Sequence, residues 1–139
     1  MCELPIRQRG FTLIEILVVM ILLAVLLSAV LPVSYNMVRR YGAAMRAQEV
    51  MLYISGLRRD AFLYSEKHLL GSLENTLTVD GASIPFADVQ ITVEPPIFFY
   101  SNGTTTGGRI DITVDGERYL LHVTAPFGTL SLEPAEEAA

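Results

Sequence analysis

The feature that most constrains this chain is a long apolar run near its amino terminus. From Ile16 to Val38 there are 23 residues without a charged side chain, and the first two thirds are almost entirely Ile, Leu, Val, Met and Ala. Because an α-helix rises ~1.5 Å per residue, about 20 apolar residues cross the ~30 Å hydrocarbon layer of a bilayer. The run therefore predicts one membrane-length helix and argues against a purely cytosolic enzyme.

The rest of the chain is long enough for one small core and is unevenly charged. Residues 39–67 contain six basic and three acidic side chains, whereas residues 68–139 contain two basic and ten acidic ones. Because so acidic a region repels a phosphate backbone, nucleic-acid binding by it is disfavoured. The single cysteine, Cys2, excludes an intramolecular disulfide and a cysteine-based zinc site.

A second helical pattern follows the apolar run without a break. Residues 36–66 contain helix formers and no proline, and apolar side chains recur at alternating steps of four and three residues. We therefore expect one helix from about Phe11 to Glu66, kinked at Pro32 because proline removes a backbone hydrogen bond without ending the helix. The residues that form the expected apolar stripe are Val50, Ile54, Leu57, Ala61 and Tyr64.

Beyond Lys67 the pattern changes to short strands separated by turn residues. Asp80-Gly81-Ala82 and Asp115-Gly116 predict two hairpin turns. The expected strands are Thr76–Val79, Ser83–Phe86, Val89–Val93, Ile97–Tyr100, Arg109–Val114, Arg118–Thr124 and Thr129–Leu132. The fold class is therefore expected to be α+β, with a long N-terminal helix, half of it transmembrane, packed on a small antiparallel sheet.

The junction between the polar leader and the apolar run carries a specific motif. Arg9-Gly10-Phe11-Thr12-Leu13-Ile14-Glu15, followed by the charge-free run and Pro32, resembles the cleavage and methylation site of type IV prepilins and type II secretion pseudopilins. The resemblance implies that a prepilin peptidase cuts after Gly10 and methylates the new amino terminus at Phe11. It also implies that Glu15 serves assembly and that Pro32 kinks the helix.

A carboxylate at Glu15 is physically unusual at the start of an apolar run. Placing it in lipid costs a few kcal/mol, so it requires a positive partner. The amino group of Phe11 on a neighbouring, cleaved subunit is the obvious candidate, since opposite charges attract strongly at low effective dielectric. We hypothesise that this pair sets the register between subunits in a filament.

Two segments of the strand region carry a second, finer resemblance. Ile97–Ile112 and Ala125–Leu130 are similar to the glycine-turn and strand blocks of H-type minor pseudopilins. The segment from about Leu69 to Val93 matches no family pattern. With these resemblances the chain divides into a leader (1–10), a transmembrane segment (11–33), an amphipathic helix (34–67), a β-sheet domain (68–132) and an acidic tail (133–139).

The resemblance implies a minor pseudopilin that helps initiate or cap the type II secretion pseudopilus for protein export. The implied partners are the prepilin peptidase, other major and minor pseudopilins or pilins, and an inner-membrane assembly platform. Arg7 and Arg9 favour a cytoplasmic leader, so the strand domain would be periplasmic on a single-pass inner-membrane anchor that joins a periplasmic pseudopilus. We expect no enzymatic activity, cofactor, metal site or nucleic-acid partner.

Two other functions remain compatible with the sequence. The first is a minor pilin of a type IV pilus used in adhesion, motility or DNA uptake, although the acidic strand region argues against a DNA-uptake tip. The second is a membrane-anchored binding domain that never polymerises. Glu15 and the Gly10-Phe11 junction argue against this second function. Neighbouring genes for a secretion ATPase and other pseudopilins would separate these alternatives.

Overall fold

The computed structural model describes residues 10–135 of the chain. The expected leader, apart from Gly10, and the last four residues of the expected tail lie outside the described residues. The chain divides into two compact units, one ending at Arg39 and the other beginning at Arg40. The described part of the second unit, residues 40–135, is called the head below.

One helix, α1, runs from Leu13 to Leu63 and continues through Pro32. Its end is fixed by Ser65, which adopts a positive φ of 53°. The N–H of Glu66 then donates to the carbonyl of Ala61 at 3.0 Å, which is the closing bond of a Schellman cap. The helix therefore ends three residues before the expected Glu66, because serine takes the left-handed position that glycine usually marks in a sequence.

Eight strands follow the helix and form two four-stranded antiparallel sheets. The order in the first sheet is β3-β2-β1-β5, and in the second it is β4-β6-β7-β8. The strands are β1 (His68–Leu73), β2 (Thr76–Val79), β3 (Ala82–Ile84), β4 (Val89–Val93), β5 (Ile97–Phe99), β6 (Gly108–Val114), β7 (Glu117–Thr124) and β8 (Thr129–Pro134). This arrangement confirms the α+β class, with the difference that the strands divide between two sheets.

The division into two sheets occurs between the consecutive strands β4 and β5. Pro95 and Pro96 separate these strands and have no N–H groups, so the chain cannot continue a hydrogen-bonded ladder there. The sheets still meet near this point, because the N–H of Val93 donates to the Ser72 hydroxyl at 2.9 Å. The N–H of Ile91 donates to the carbonyl of Asn75 at 2.8 Å.

Three of the hairpins have two consecutive residues with positive φ. Asp80-Gly81 and Asp115-Gly116 form two of them, as the sequence predicts. The third, at Glu74 and Asn75, joins β1 to β2 and contains no glycine. Strand β1 was not among the expected strands, because its turn lacks the usual sequence signal.

The core of the head lies between the helix and the inner faces of both sheets. The helix contributes one stripe of buried residues, and alternate residues of the strands contribute the rest. The fully buried helix residues are Ala43, Ala47, Val50, Ile54 and Ala61. Tyr64 was wrongly expected to belong to this stripe. It lies beyond the end of the helix and is 71% exposed.

Candidate processing and assembly site

The expected cleavage junction lies immediately before the helix. Gly10 and Phe11 are both exposed, and a Cβ atom added to Gly10 would meet no atom within 4 Å. The described chain therefore gives no internal steric reason for glycine at this position. Close approach of a protease to the backbone is a reason for glycine here that the sequence suggests, and it stays a prediction.

Thr12 caps the first turn of the helix, a role that we did not expect from the sequence. Its hydroxyl accepts a hydrogen bond from the N–H of Glu15 at 3.2 Å, and its carbonyl accepts from the N–H of Ile16 at 3.1 Å. Threonine followed three residues later by glutamate is the capping-box pattern, so this signal was present in the sequence. The cap fixes the backbone of Glu15 relative to the start of the helix.

The carboxylate of Glu15 has no positively charged partner within residues 10–135. No basic nitrogen of that part of the chain lies within the 4.0 Å that defines an ion pair. A shallow groove of about 230 Å³ beside it is almost entirely apolar. The groove is lined by Phe11, Glu15, Ile16, Val19 and Met20. A carboxylate in this position can form an ion pair with a positively charged group of a second molecule.

The apolar part of the helix leaves its side chains uncovered. Every residue from Phe11 to Gly42 is exposed. Among residues 10–135, α1 is the one helix long and apolar enough to cross a membrane, judged by length and composition. This arrangement fits a membrane-anchored, single-pass protein.

Pro32 leaves one backbone carbonyl of this apolar segment without its usual partner. In an α-helix the N–H of residue 32 would donate to the carbonyl of Ser28, and proline has no N–H. The Ser28 hydroxyl itself donates to the carbonyl of Val25 at 2.7 Å. The helix is continuous through this point, and the kink at Pro32 stays a prediction.

In the head, two glycines of the expected family blocks occupy positions where a side chain would be crowded and its backbone strained. Gly107 has a φ of 69°, and a Cβ atom there would lie 2.8 Å from the carbonyl oxygen of Val123. Gly128 has a φ of 70°, and its Cβ atom would lie 2.8 Å from Cδ of Arg58. A side chain at Gly107 would clash with backbone, and one at Gly128 would displace the Arg58 side chain, so left-handed backbone and close packing together favour glycine at both positions.

Arg58 joins the end of the helix to the turn before β8. Its Nη1 donates to the carbonyls of Phe127 at 3.1 Å and Gly128 at 2.8 Å. Arg58 is not one of the residues of the expected apolar stripe, and the sequence indicated no role for it. The partners are backbone carbonyls about 70 residues away in sequence, so no local pattern could have indicated the contact.

The two histidines lie in the sheets and not in a common site. Nδ1 of His68 lies 2.8 Å from Oδ2 of Asp80, so His68 anchors the start of β1. His122 lies on the outward face of β7, between the buried Leu121 and Val123. Within residues 10–135, no group of three His, Cys, Asp or Glu side chains could hold a metal ion.

The N-terminal segment matches a known family description. A protein-family model described as "Prokaryotic N-terminal methylation motif" matches residues 6–31, well under half of the chain. No curated protein and no solved structure matches the chain significantly. The motif supports a type IV pilin-like prepilin, and with it processing by a prepilin peptidase and assembly with other pilins.

Proposed function

We propose that this protein is a minor pseudopilin, a structural subunit that helps to initiate or cap a type II secretion pseudopilus during protein export. The observation that carries the proposal is the methylation motif over residues 6–31, with Glu15 at the start of an exposed apolar helix and without an ion pair to any residue between 10 and 135. The role is structural: the chain is the substrate of a peptidase and catalyses no reaction itself. The resemblance of Ile97–Ile112 and Ala125–Leu130 to H-type subunits supports the finer assignment.

The proposed location is the inner membrane, with the head in the periplasm. Before assembly the apolar helix would lie in the bilayer, and the head would stay on the far side because Arg7 and Arg9 favour the cytoplasm. After cleavage, the freed amino group of Phe11 in one subunit would pair with Glu15 of its neighbour. The assembly platform and the other pseudopilins would supply these neighbours.

Processing at Gly10 is tested by mass spectrometry of the mature protein. We expect the chain to begin at N-methylated Phe11, and Gly10→Val to retain the leader because a side chain obstructs the approach of the protease. Gly42→Ala is the matched control, since a Cβ atom at Gly42 also meets nothing within 4 Å. A mature amino terminus at Met1 in the unmodified chain would instead support a membrane-anchored domain that does not polymerise.

The role of Glu15 is tested by incorporation into sheared filaments. We expect Glu15→Leu and Glu15→Ala to reduce incorporation strongly, because each removes the charge that a neighbouring amino group would neutralise. Glu15→Asp keeps the charge and should retain part of the incorporation. Normal incorporation of both uncharged variants would refute the role in register.

A minor pilin of a type IV pilus is the second candidate, because the methylation motif is common to both machines. Deleting the gene distinguishes the two functions. A secretion subunit predicts loss of exported proteins from the medium with pili retained, whereas a pilus subunit predicts loss of pili with export retained. Complementation with the unmodified gene is the control.

A further inference from the structure

Within residues 10–135 the two sheets have four outer strands, β3 and β5 in the first sheet and β4 and β8 in the second. An outer strand has backbone N–H and carbonyl groups that no neighbouring strand pairs, and proteins usually cover or interrupt such edges. In an antiparallel ladder, residues that bond to one neighbour alternate with residues that face away from it. The register of each sheet therefore identifies the outward-facing residues of each outer strand.

Three of these edges offer little or no free backbone to a further strand. In β4 the outward N–H groups of Ile91 and Val93 donate to acceptors in β1 and in the turn after it. In β5 the outward N–H of Phe98 donates to the Thr106 hydroxyl at 3.0 Å, and its carbonyl accepts from the N–H of Thr106 at 3.2 Å. Strand β3 has three residues, of which only Ser83 faces away from β2.

Strand β8 differs, because its six residues leave two consecutive outward positions unpaired. The N–H of Ala135 donates to the carbonyl of Arg118 at 2.8 Å, which extends the β7–β8 register by one pair. Counting back from this bond in steps of two, the odd-numbered residues of β8 bond to β7, so Leu130 and Leu132 face away. No hydrogen bond within residues 10–135 reaches the outward N–H or carbonyl of either leucine.

The open part of the β8 edge has a defined beginning and end. Before β8, Nη1 of Arg58 donates to the carbonyl of Gly128 at 2.8 Å, so that acceptor is already used. At the end of β8, Pro134 has no N–H to donate. Between these points lie the N–H and carbonyl groups of Leu130 and Leu132, which together can bond to a short extended strand.

The leucine side chains indicate what kind of strand the edge fits. Leu130 and Leu132 are half-buried, and their register partners Val123 and Leu121 are buried, so all four lie on the inner face of the sheet. The exposed residues on the other face of β8 are Thr129, Ser131 and Glu133. Side chains of an added strand would lie beside those of β8 on the same face. The edge therefore fits an extended segment in which apolar and polar side chains alternate.

We propose that β8 accepts such a segment from the head of a different pilin-like subunit, which adds to the second sheet as a fifth strand. The inference rests on the proposed function, since a subunit that initiates or caps a filament must contact subunits of another kind. Antiparallel pairing of β8 with β8 of a second copy would turn the two heads in opposite directions, which copies anchored in one membrane cannot do. Backbone bonds would supply affinity, and the alternating side chains would select the partner.

The contact is tested by photo-cross-linking in cells that produce the full chain. Ser131 is exposed on the outer face of β8, so Ser131→p-benzoylphenylalanine places the probe beside an added strand without altering the outward backbone groups. We expect an adduct with a different protein that has its own prepilin motif, joined through a segment of alternating apolar and polar residues. Ser83→p-benzoylphenylalanine, on the short outer strand β3, is the matched control and should give no such adduct.

The role of the backbone is tested by adding either of two substitutions at Leu132. Leu132→Pro removes the outward N–H, which the head itself does not use, whereas Leu132→Ala shortens the side chain and keeps the N–H. We expect the adduct to fall several-fold with proline and to persist with alanine, at a similar Tm of the detergent-solubilised chain. If Leu132→Pro lowers the Tm, Leu130→Pro and Leu130→Ala provide the same comparison. Equal adduct yields in the proline and alanine variants would overturn strand addition.

The outcomes separate this inference from the proposed function. A chain that is processed and enters filaments but gives no adduct at position 131 overturns the β8 contact and leaves the proposed function intact. An adduct with a second copy, or with a protein that lacks a prepilin motif, overturns the choice of partner. A chain that is neither processed nor assembled refutes both proposals together.

Discussion

Asp80 joins two strands and a turn of the head through one side chain and its own backbone. Its Oδ2 binds His68, its Oδ1 accepts from the N–H of Leu69 at 2.8 Å, and its N–H donates to the carbonyl of Leu69 at 2.9 Å. The hydrogen bond from His68, followed by that from Leu69, lowers the pKa of Asp80 below its ordinary value of 3.8. A lowered carboxyl pKa means that folding favours the ionised form.

We predict that Asp80→Asn lowers the free energy of unfolding by about 1 kcal/mol or less at pH 7, because the side chain is 47% exposed and solvent weakens its interactions. The stabilisation by Asp80 is fully present above about pH 4 and is lost as the pH falls through the lowered pKa. Thermal unfolding of the detergent-solubilised chain, followed by tyrosine near-UV circular dichroism, measures both effects.

Asp88→Asn is the matched control for this prediction. Asp88 forms an exposed ion pair with Arg46 at 3.3 Å, with its side chain 73% exposed. Such pairs contribute little, so its Tm should hardly change. An Asp80→Asn chain with unchanged stability at pH 7 would contradict the assigned role of Asp80.

At the scale of elements, the second half of the helix has one buried and one exposed face. Ile54 is fully buried, whereas Leu52, two residues earlier, is 68% exposed. Three small residues on the buried face, Ala43, Ala47 and Ala61, also have no exposed surface. This face follows from helical spacing, which is why most of the expected stripe is confirmed.

We predict that Ile54→Ala costs about 2–5 kcal/mol of unfolding free energy, because it removes buried methyl groups and leaves a cavity. Leu52→Ala is the control on the same helix and should change this free energy by about 0.5 kcal/mol or less. Denaturant unfolding of the two variants in the same detergent provides the comparison. Equal losses of unfolding free energy in the two variants would contradict the assignment of Ile54 to a buried face and Leu52 to an exposed face.

At the scale of the whole molecule, the apolar segment and the core of the head depend on different residues. All residues from Phe11 to Gly42 are exposed, and the buried core begins at Ala43. Effects of substitutions at distant sites without shared partners are usually additive. A defect in assembly caused at Glu15 should therefore not be a defect in folding of the head.

We predict that Glu15→Leu leaves the Tm of the head within about 1 °C of the unmodified protein, while filament incorporation is lost. Near-UV circular dichroism of the detergent-solubilised chain measures the first effect, and sheared-filament fractions measure the second. Ile54→Ala provides the opposite case, because it should lower the Tm of the head without altering the charge at Glu15. A large fall in Tm for Glu15→Leu would attribute its assembly defect to unfolding.

The sequence by itself determined the features that depend on local spacing. The charge-free run predicts the exposed apolar helix, the Gly10-Phe11 junction and Glu15 predict the prepilin motif, and Asp-Gly pairs predict two hairpins. Each of these follows from a few adjacent residues or from a regular repeat. The capping box at Thr12 belongs to the same class, although we did not use it.

Only the tertiary structure decided the features that depend on residues far apart in sequence. The separation of β4 from β5 into different sheets, the anchoring of His68 by Asp80, and the contact of Arg58 with the turn at Phe127 are of this kind. Helix and hairpin signals reflect local backbone preferences. Whether two distant segments meet depends on packing of the whole core, which no short stretch of sequence specifies.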